Sequence, residues 1–189
     1  MKSKILILDL DETLFYSEHK SRMNDVSFDF INESFPIFEG EYYTMFRPHL
    51  KEFLKYIFAN FTIAVYTAAS QDYAELLLTK MGVNLNTLEF LWARDRCTIK
   101  YDYENGFGNP VAHKKLYKVG KKYNLDNILM VDDKPHLIDC YGNVIGIKPF
   151  YGDSSDKELL RLINYLDKIK DEESYRKIDK RAWSSKIEI

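Results

Sequence analysis

Leu6-Ile7-Leu8-Asp9-Leu10-Asp11-Glu12-Thr13-Leu14 is the stretch on which the reading of this chain turns. With Ile5 it begins as an uninterrupted aliphatic run, the pattern of a strand buried on both faces in the middle of a parallel sheet. It then stops on two carboxylates. A run this apolar places Asp9 at the carboxyl end of a central strand, where open α/β sheets put their ligand crevices. Asp11 shares a face with Asp9 if the chain stays extended, and is re-aimed if a turn begins there. Two acids this close repel each other unless a cation or a shared proton relieves them. A D-x-D alone is usually a solvated acidic turn, so its weight depends on the partners that the rest of the chain supplies.

Strand and helix patterns alternate after it. Val26, Phe28 and Phe30 alternate as a half-exposed strand, with Tyr42 to Phe46 as its partner and Gly40 in the connection, which predicts a hairpin. Pro48 suits the first turn of a helix carrying Leu50, Phe53, Leu54, Ile57 and Phe58. Phe61 to Tyr66 reads as a second buried strand. Ser70 or Thr67 can cap the next helix, which carries Tyr73, Leu76, Leu77 and Met81 and stops at Gly82. Residues from about 84 to 110 break the rhythm and predict a small β-insert ending in a turn-rich loop. His113 to Tyr123 then reads as a helix, Asn127 to Val131 as a buried strand ending at Asp132-Asp133, and Val144 to Ile147 as a final strand. Asp153 to Asp156 offers caps for a last helix through Leu159, Leu162, Leu166 and Ile169. The alternation predicts an α/β fold with a central parallel sheet. Residues 1–170 are expected to form one domain and 171–189 a charged tail or helix extension.

Composition narrows the function. The 189 residues, 46% hydrophobic and 30% charged, suit one soluble globular domain, unusually aromatic with 14 Tyr and 12 Phe. A formal charge of -2, from 27 basic and 29 acidic residues, gives no global field for nucleic acid or an anionic membrane. Cys97 and Cys140 lack metal-ligand spacing and are too few for a disulfide scaffold, so reduced thiols in a cytoplasmic protein are expected, or a nuclear one in a eukaryote. The apolar run at the N-terminus ends at Asp9, too early for a signal peptide or a membrane span, so no membrane partner is expected. Oligomeric state is not readable.

Three strands thus end in polar groups at one edge of the sheet: Asp9/Asp11, Thr67 and Asp132/Asp133. Phosphoryl transfer needs a nucleophile, neutralisation of the equatorial oxygens and a proton for the leaving group. Asp9 can attack phosphorus to give an aspartyl phosphate, and Asp11 can protonate the leaving oxygen and later deprotonate water. Mg²⁺ prefers hard oxygen ligands, which Asp9, the backbone carbonyl of Asp11 and a carboxylate of Asp132 or Asp133 provide. The Thr67 hydroxyl and neighbouring backbone N–H groups, that of Ala68 among them, can bind the phosphoryl group. A lysine completes the balance, with Lys114 and Lys115 as rivals. Each feature also has a plain structural reading. Thr67 can simply cap a helix, lysines on a helix are mostly a solvated face, and His49, His113 and His136 fit capping or exposed roles better than metal binding.

D-L-D-E-T-L at 9–14, R-P-H-L-K-E-F-L at 47–54, V-Y-T-A-A-S at 65–70, W-A-R-D-R-C at 92–97, K-K-L at 114–116 and V-D-D-K-P at 131–135 together resemble a known set. It is that of the haloacid-dehalogenase (HAD) superfamily phosphatases, in the form found in small RNA-polymerase C-terminal-domain phosphatases and their relatives similar to the Nuclear-LIM-interactor-interacting factor. The resemblance runs from about Lys4 to Pro149. It implies a three-layer Rossmann-like HAD fold with no large cap, and a Mg²⁺-dependent phosphomonoester hydrolase, foremost a protein Ser/Thr phosphatase. By the same resemblance Asp9 is the nucleophile, Asp11 the acid/base, Thr67 the phosphate-binding threonine and Lys114 the neutralising lysine. The family often has Asp-Asn where this chain has Asp132-Asp133, which would make Asp133 the metal ligand and Asp132 the partner of the lysine. The segment from lysine to acid pair is slightly longer than the family pattern, which keeps Lys115 a rival. Two other readings stand beside this one: a phosphatase for nucleic-acid ends or small phosphorylated metabolites, and a non-catalytic scaffold that binds phosphorylated partners. Retention of a nucleophile argues against the scaffold.

Overall fold

The four residues of β1 (Ile5–Leu8) are all buried and make the middle strand of a five-stranded sheet. The computed structural model describes residues 4–103 and 108–188. After β1 the chain forms β2 (Phe15–His19), α1 (Phe28–Glu33), β3 (Phe35–Ile37) and β4 (Tyr42–Phe46). It continues through α2 (Leu50–Asn60), β5 (Thr62–Tyr66), α3 (Gln71–Lys80) and β6 (Leu91–Trp92). Then come β7 (Thr98–Asp102), β8 (Asn109–His113), α4 (Leu116–Gly120), β9 (Ile128–Asp132), β10 (Val144–Gly146) and α5 (Glu158–Ile169).

The sheet runs in the order β10-β9-β1-β5-β6 with every neighbouring pair parallel. Alternation along β1 divides the core into two layers. Leu6 and Leu8 join Ile63, Val65, Leu129 and Val131 under α2, α3 and α5, whereas Ile5 and Ile7 join Ala64, Tyr66, Ile128 and Met130 over α4. From β1 the chain first builds outward through β5 and β6, then returns to the other side through β9 and β10. The order therefore reverses at β1, and the crevice beyond its carboxyl end is where such sheets bind ligands.

Two small antiparallel sheets flank this edge: β2-β4-β3, and the pair β7-β8. The expected insert over 84–110 is divided accordingly. Leu91–Trp92 belongs to the edge of the main sheet, beside Val65 and Tyr66, and only the segment from Thr98 to His113 forms the accessory hairpin. Residues 104–107, part of the expected loop, lie outside the described residues.

Three local expectations need correction. Val26 to Phe30 is not a strand. Phe28–Glu33 is helical, with the Ser27 hydroxyl accepting from the Phe30 N–H at 3.2 Å, and this local cap outweighs the β-propensity of the aromatic residues. Tyr42 to Phe46 is a strand, but β2 and β3 are its partners; Gly40, at φ +85, turns β3 into β4. The helix expected over His113 to Tyr123 is confined to Leu116–Gly120, because His113 ends β8 and Lys114 is held extended in a bridge to Ile138. Pro48 precedes α2, which begins after His49 in a left-handed conformation.

The segment after Asp171 is not a frayed helix extension. It folds back through short turns at Tyr175–Lys177 and Ser184–Lys186, and Tyr175, Trp183 and Ile187 are buried in the main core layer. The Trp183 indole N–H donates to the Gly146 carbonyl at 2.6 Å, closing the exposed edge of β10.

Candidate active site

Asp9 follows the last residue of β1, and its N–H donates to Val131 O at 3.0 Å, so strand pairing sets the carboxylate at the sheet edge. A tight turn begins at once. Leu14 N–H bonds Leu10 O at 2.8 Å, Glu12 N–H bonds Phe15 O at 2.8 Å, and Glu12 takes a left-handed φ of 55°. The turn lifts Asp11 off the strand axis, so Asp9 and Asp11 do not share an extended face. The Thr13 hydroxyl comes back to Asp9 Oδ2 at 3.3 Å.

Asp132 ends β9 next door. The Lys114 ammonium is buried between the two, donating to Asp9 Oδ1 and to Asp132 Oδ2, the latter at 2.6 Å. Asp132 Oδ1 is held by the backbone N–H of Lys134 at 2.8 Å. Oxygens of Asp9, Asp132 and Asp133 lie within 4.8 Å of one another. Lys134 pairs with Glu12 at 2.7 Å on the rim and reaches Asp133 at 3.6 Å.

The electrostatics are unbalanced. Burial pushes Asp9 up to about 6, although Lys114 pulls it down. Burial likewise raises Asp11 to about 6, reinforced by Glu12 and opposed by the Tyr73 hydroxyl and Lys114. Asp132 and Asp133 are also raised, chiefly by burial. Burial alone would lower Lys114, but the charges of Asp9 and Asp132 outweigh it and hold the ammonium protonated. Three clustered carboxylates against one buried lysine leave excess negative charge, and all the donors are hard oxygens. This set fits a divalent cation of the Mg²⁺ type, with carboxylate oxygens of Asp9 and Asp133 at hand, while Lys114 is shared between Asp9 and Asp132.

Asp9, Asp11, Ala68, Lys114, Asp132 and Asp133 line a cavity of about 60 Å³. That is room for a few water-sized groups, the scale of a phosphoryl group rather than a whole metabolite. It opens past Asp11 and Ala68 into a cleft of about 490 Å³ bordered by Phe38, Tyr42, Tyr73 and Arg94. Thr67 is fully buried at the end of β5, its Oγ1 accepting from the Ala69 N–H at 3.1 Å, which leaves the hydroxyl proton free to donate. Ser70 begins α3 without a side-chain cap bond. Lys115 does not line the cavity, and its backbone N–H bonds the Tyr66 hydroxyl at 3.2 Å. His49 pairs with Glu52, and neither His113 nor His136 joins the acid cluster.

Arg47 is a residue of the site that the sequence does not single out. Its guanidinium is fully buried beneath the site, bonded to both Asp156 oxygens (2.9 and 2.8 Å), to Thr13 O (3.0 Å) and to Lys148 O (2.9 Å). The R-P-H-L string contains the residue, but nothing local shows that its partners lie as far off as position 156. Helical spacing makes Tyr73 a core position of α3; its hydroxyl nonetheless donates to Ser17 Oγ at 2.8 Å and faces Asp11.

Comparison with known proteins agrees with this geometry. Residues 4–176 match the model of the NLI interacting factor-like phosphatase family. The chain is 31% identical over 188 residues to a CTD phosphatase-like protein of Invertebrate iridescent virus 3, covering 89% of this chain and 98% of that one. It is 27% identical over 180 residues to CTD nuclear envelope phosphatase 1 of Xenopus tropicalis, covering 90% and 68%. Among solved structures, Fcp1, an essential RNA polymerase II CTD phosphatase, shares the fold with a TM-score of 0.64 at 19% identity, over 89% of this chain and 62% of that one. Among the described residues no helix is long and apolar enough to cross a membrane. With a family model covering most of its length, and the sheet and acid cluster just described, the chain belongs to the NLI interacting factor-like phosphatases of the HAD fold.

Proposed function

We propose that this phosphatase is a Mg²⁺-dependent phosphomonoester hydrolase that works through an aspartyl phosphate on Asp9 and acts on phosphorylated serine or threonine side chains of proteins. The observation that carries the reading is the buried cluster of Asp9, Asp132 and Asp133 around Lys114 at the switch point of the sheet.

Asp9 attacks phosphorus, and the ester oxygen leaves with a proton from Asp11, whose raised pKa keeps part of the population protonated near neutrality. Asp11 then takes a proton from the water that attacks the phosphoaspartate. Lys114 neutralises a phosphoryl oxygen while Asp132 fixes its ammonium, and the Thr67 hydroxyl and Ala68 N–H donate to the others. Asp9 and Asp133 side chains and the Asp11 carbonyl would hold Mg²⁺, which when bound supplies positive charge against the transferring group. Lys115, outside the cavity, is the weaker candidate for the lysine role.

A phosphoprotein substrate is supported by the open cleft beside a cavity of phosphoryl size, and by relatives named for CTD phosphatase activity. The two free cysteines accord with a cytoplasmic or nuclear setting for such an enzyme. Mg²⁺ added to chelated wild type should raise Tm and restore hydrolysis of phosphoserine peptides, and Asp133→Ala, which removes the ligand oxygen, should lose most of that Tm rise. A Tm insensitive to Mg²⁺, or peptides untouched while phosphorylated oligonucleotides or sugar phosphates turn over, would overturn the reading.

A further inference from the structure

Two lysines border the acid cluster, and the hydrolytic scheme gives a task only to Lys114. The other, Lys134, has a fixed backbone: its N–H donates to Asp132 Oδ1 at 2.8 Å, and Pro135 begins the short turn that follows. Its side chain is freer. The ammonium stands at the cavity mouth, 2.7 Å from Glu12 Oε2 on the turn that carries Asp11 and 3.6 Å from Asp133 Oδ2, and so bridges the two loops that supply the acids. Burial alone would lower Lys134, but the charges of Glu12, Asp133 and Asp9 outweigh it and hold the ammonium protonated. Asp133 depends on this contact. Its side chain is 2% exposed, burial and the charges of Asp132 and Glu12 work against its ionised form, and among the described residues Lys134 is the one cation in ion-pair range of it.

We infer that Lys134 is a tethered counter-ion of the acid cluster, one that competes with the divalent cation for Asp133 and thereby sets how tightly the cation is held. The inference rests on the Mg²⁺ reading above. A divalent ion taken up by Asp9 and Asp133 brings like charge against this ammonium, so binding costs either the repulsion or the Lys134–Asp133 contact. Lys114 cannot yield in the same way, because it is buried between Asp9 and Asp132. Lys134, with a side chain 50% exposed and a second acid partner in Glu12, can release Asp133 and stay paired at the rim. The cluster therefore holds its cation less tightly than three buried carboxylates would without Lys134, and keeps Asp133 neutralised when the cation leaves.

The test reads the Mg²⁺ dissociation constant from the rise of Tm with Mg²⁺ concentration in chelator-treated wild type, Lys134→Gln and Lys134→Arg. At low salt Lys134→Gln should bind Mg²⁺ about five-fold more tightly than wild type, and the gain should shrink at high salt, because the lost charge is half-exposed and screened. Lys134→Arg, which keeps the charge, should stay near wild type. Before Mg²⁺ is added, Lys134→Gln should melt below wild type, since Asp133 has lost its counter-ion, and its rise on saturation should be the larger. Equal or weaker Mg²⁺ binding by Lys134→Gln overturns the counter-ion role and leaves the Mg²⁺ reading intact; equal binding together with a raised KM for a phosphoserine peptide would assign Lys134 to the substrate phosphate instead. A wild type whose Tm does not respond to Mg²⁺ removes both readings.

Discussion

Lys114 answers two carboxylates at once, and a third, Asp133, stands within reach of both. The site is therefore assembled around a charge excess that burial magnifies rather than hides. On the proposed mechanism Lys114→Ala should lower kcat by about 10²–10³-fold, because the lost ammonium faces the developing charge inside a buried site. Lys115→Ala should change it little. Comparable losses in steady-state assays of the two variants would put the wrong lysine in the site. The sequence does not separate these neighbours, since both read as the start of a lysine-rich helix. What separates them is strand alternation through β8, which aims residues 110, 112 and 114 one way, and the sequence of that strand looks like loop at one end and helix at the other. Asp9 is legible because four aliphatic residues before it can only be a strand buried on both sides. The aim of Asp11 is not, since it depends on a turn with Glu12 at positive φ, where no glycine announces it.

At the level of elements, Arg47 ties the end of β4 to the Thr13 turn, to the loop at Lys148 and to the start of α5, where Asp156 also accepts from the Glu158 N–H at 2.9 Å. The turn that carries Asp11 is thus braced from below by a buried ion pair. Arg47→Met should cost about 3–5 kcal/mol in urea unfolding, because it strands the Asp156 carboxylate, which is 8% exposed. Arg47→Met with Asp156→Leu should recover much of that loss, and full additivity of the two changes would show that the pair is not coupled. The long elements are readable for a common reason. α2, α3 and α5 each bury an apolar face on the sheet, and β1, β5 and β9 are near-continuous apolar runs. α1 is not readable, because a six-residue helix carries too little periodicity to outweigh aromatic alternation, and Phe28 is exposed in it while Phe30 is buried.

On the scale of the whole molecule, the reversal of strand order at β1 gathers Asp9, Ala68, Lys114 and Asp132 from distant parts of the chain into one crevice. The strand-and-helix alternation suffices to expect the parallel sheet. It does not reveal that the β2-β4-β3 sheet joins the hairpin as a second wall, or that residues past 170 complete the core. Those residues look charged on average, yet Tyr175, Trp183 and Ile187 are spaced to enter the core one at a time. Removing residues 171–189 should therefore lower unfolding free energy by at least about 3 kcal/mol, the cost of uncovering one large aromatic side chain; an unchanged urea midpoint would contradict that packing. The central claim is that Asp9 becomes covalently phosphorylated. Its most direct test is an acid quench of wild type and Asp9→Asn during turnover of a radiolabelled phosphopeptide in Mg²⁺. Wild type should retain a hydroxylamine-labile label that maps to Asp9, and the variant should carry none and release no phosphate. Phosphate release by Asp9→Asn at a rate near that of wild type would contradict the account.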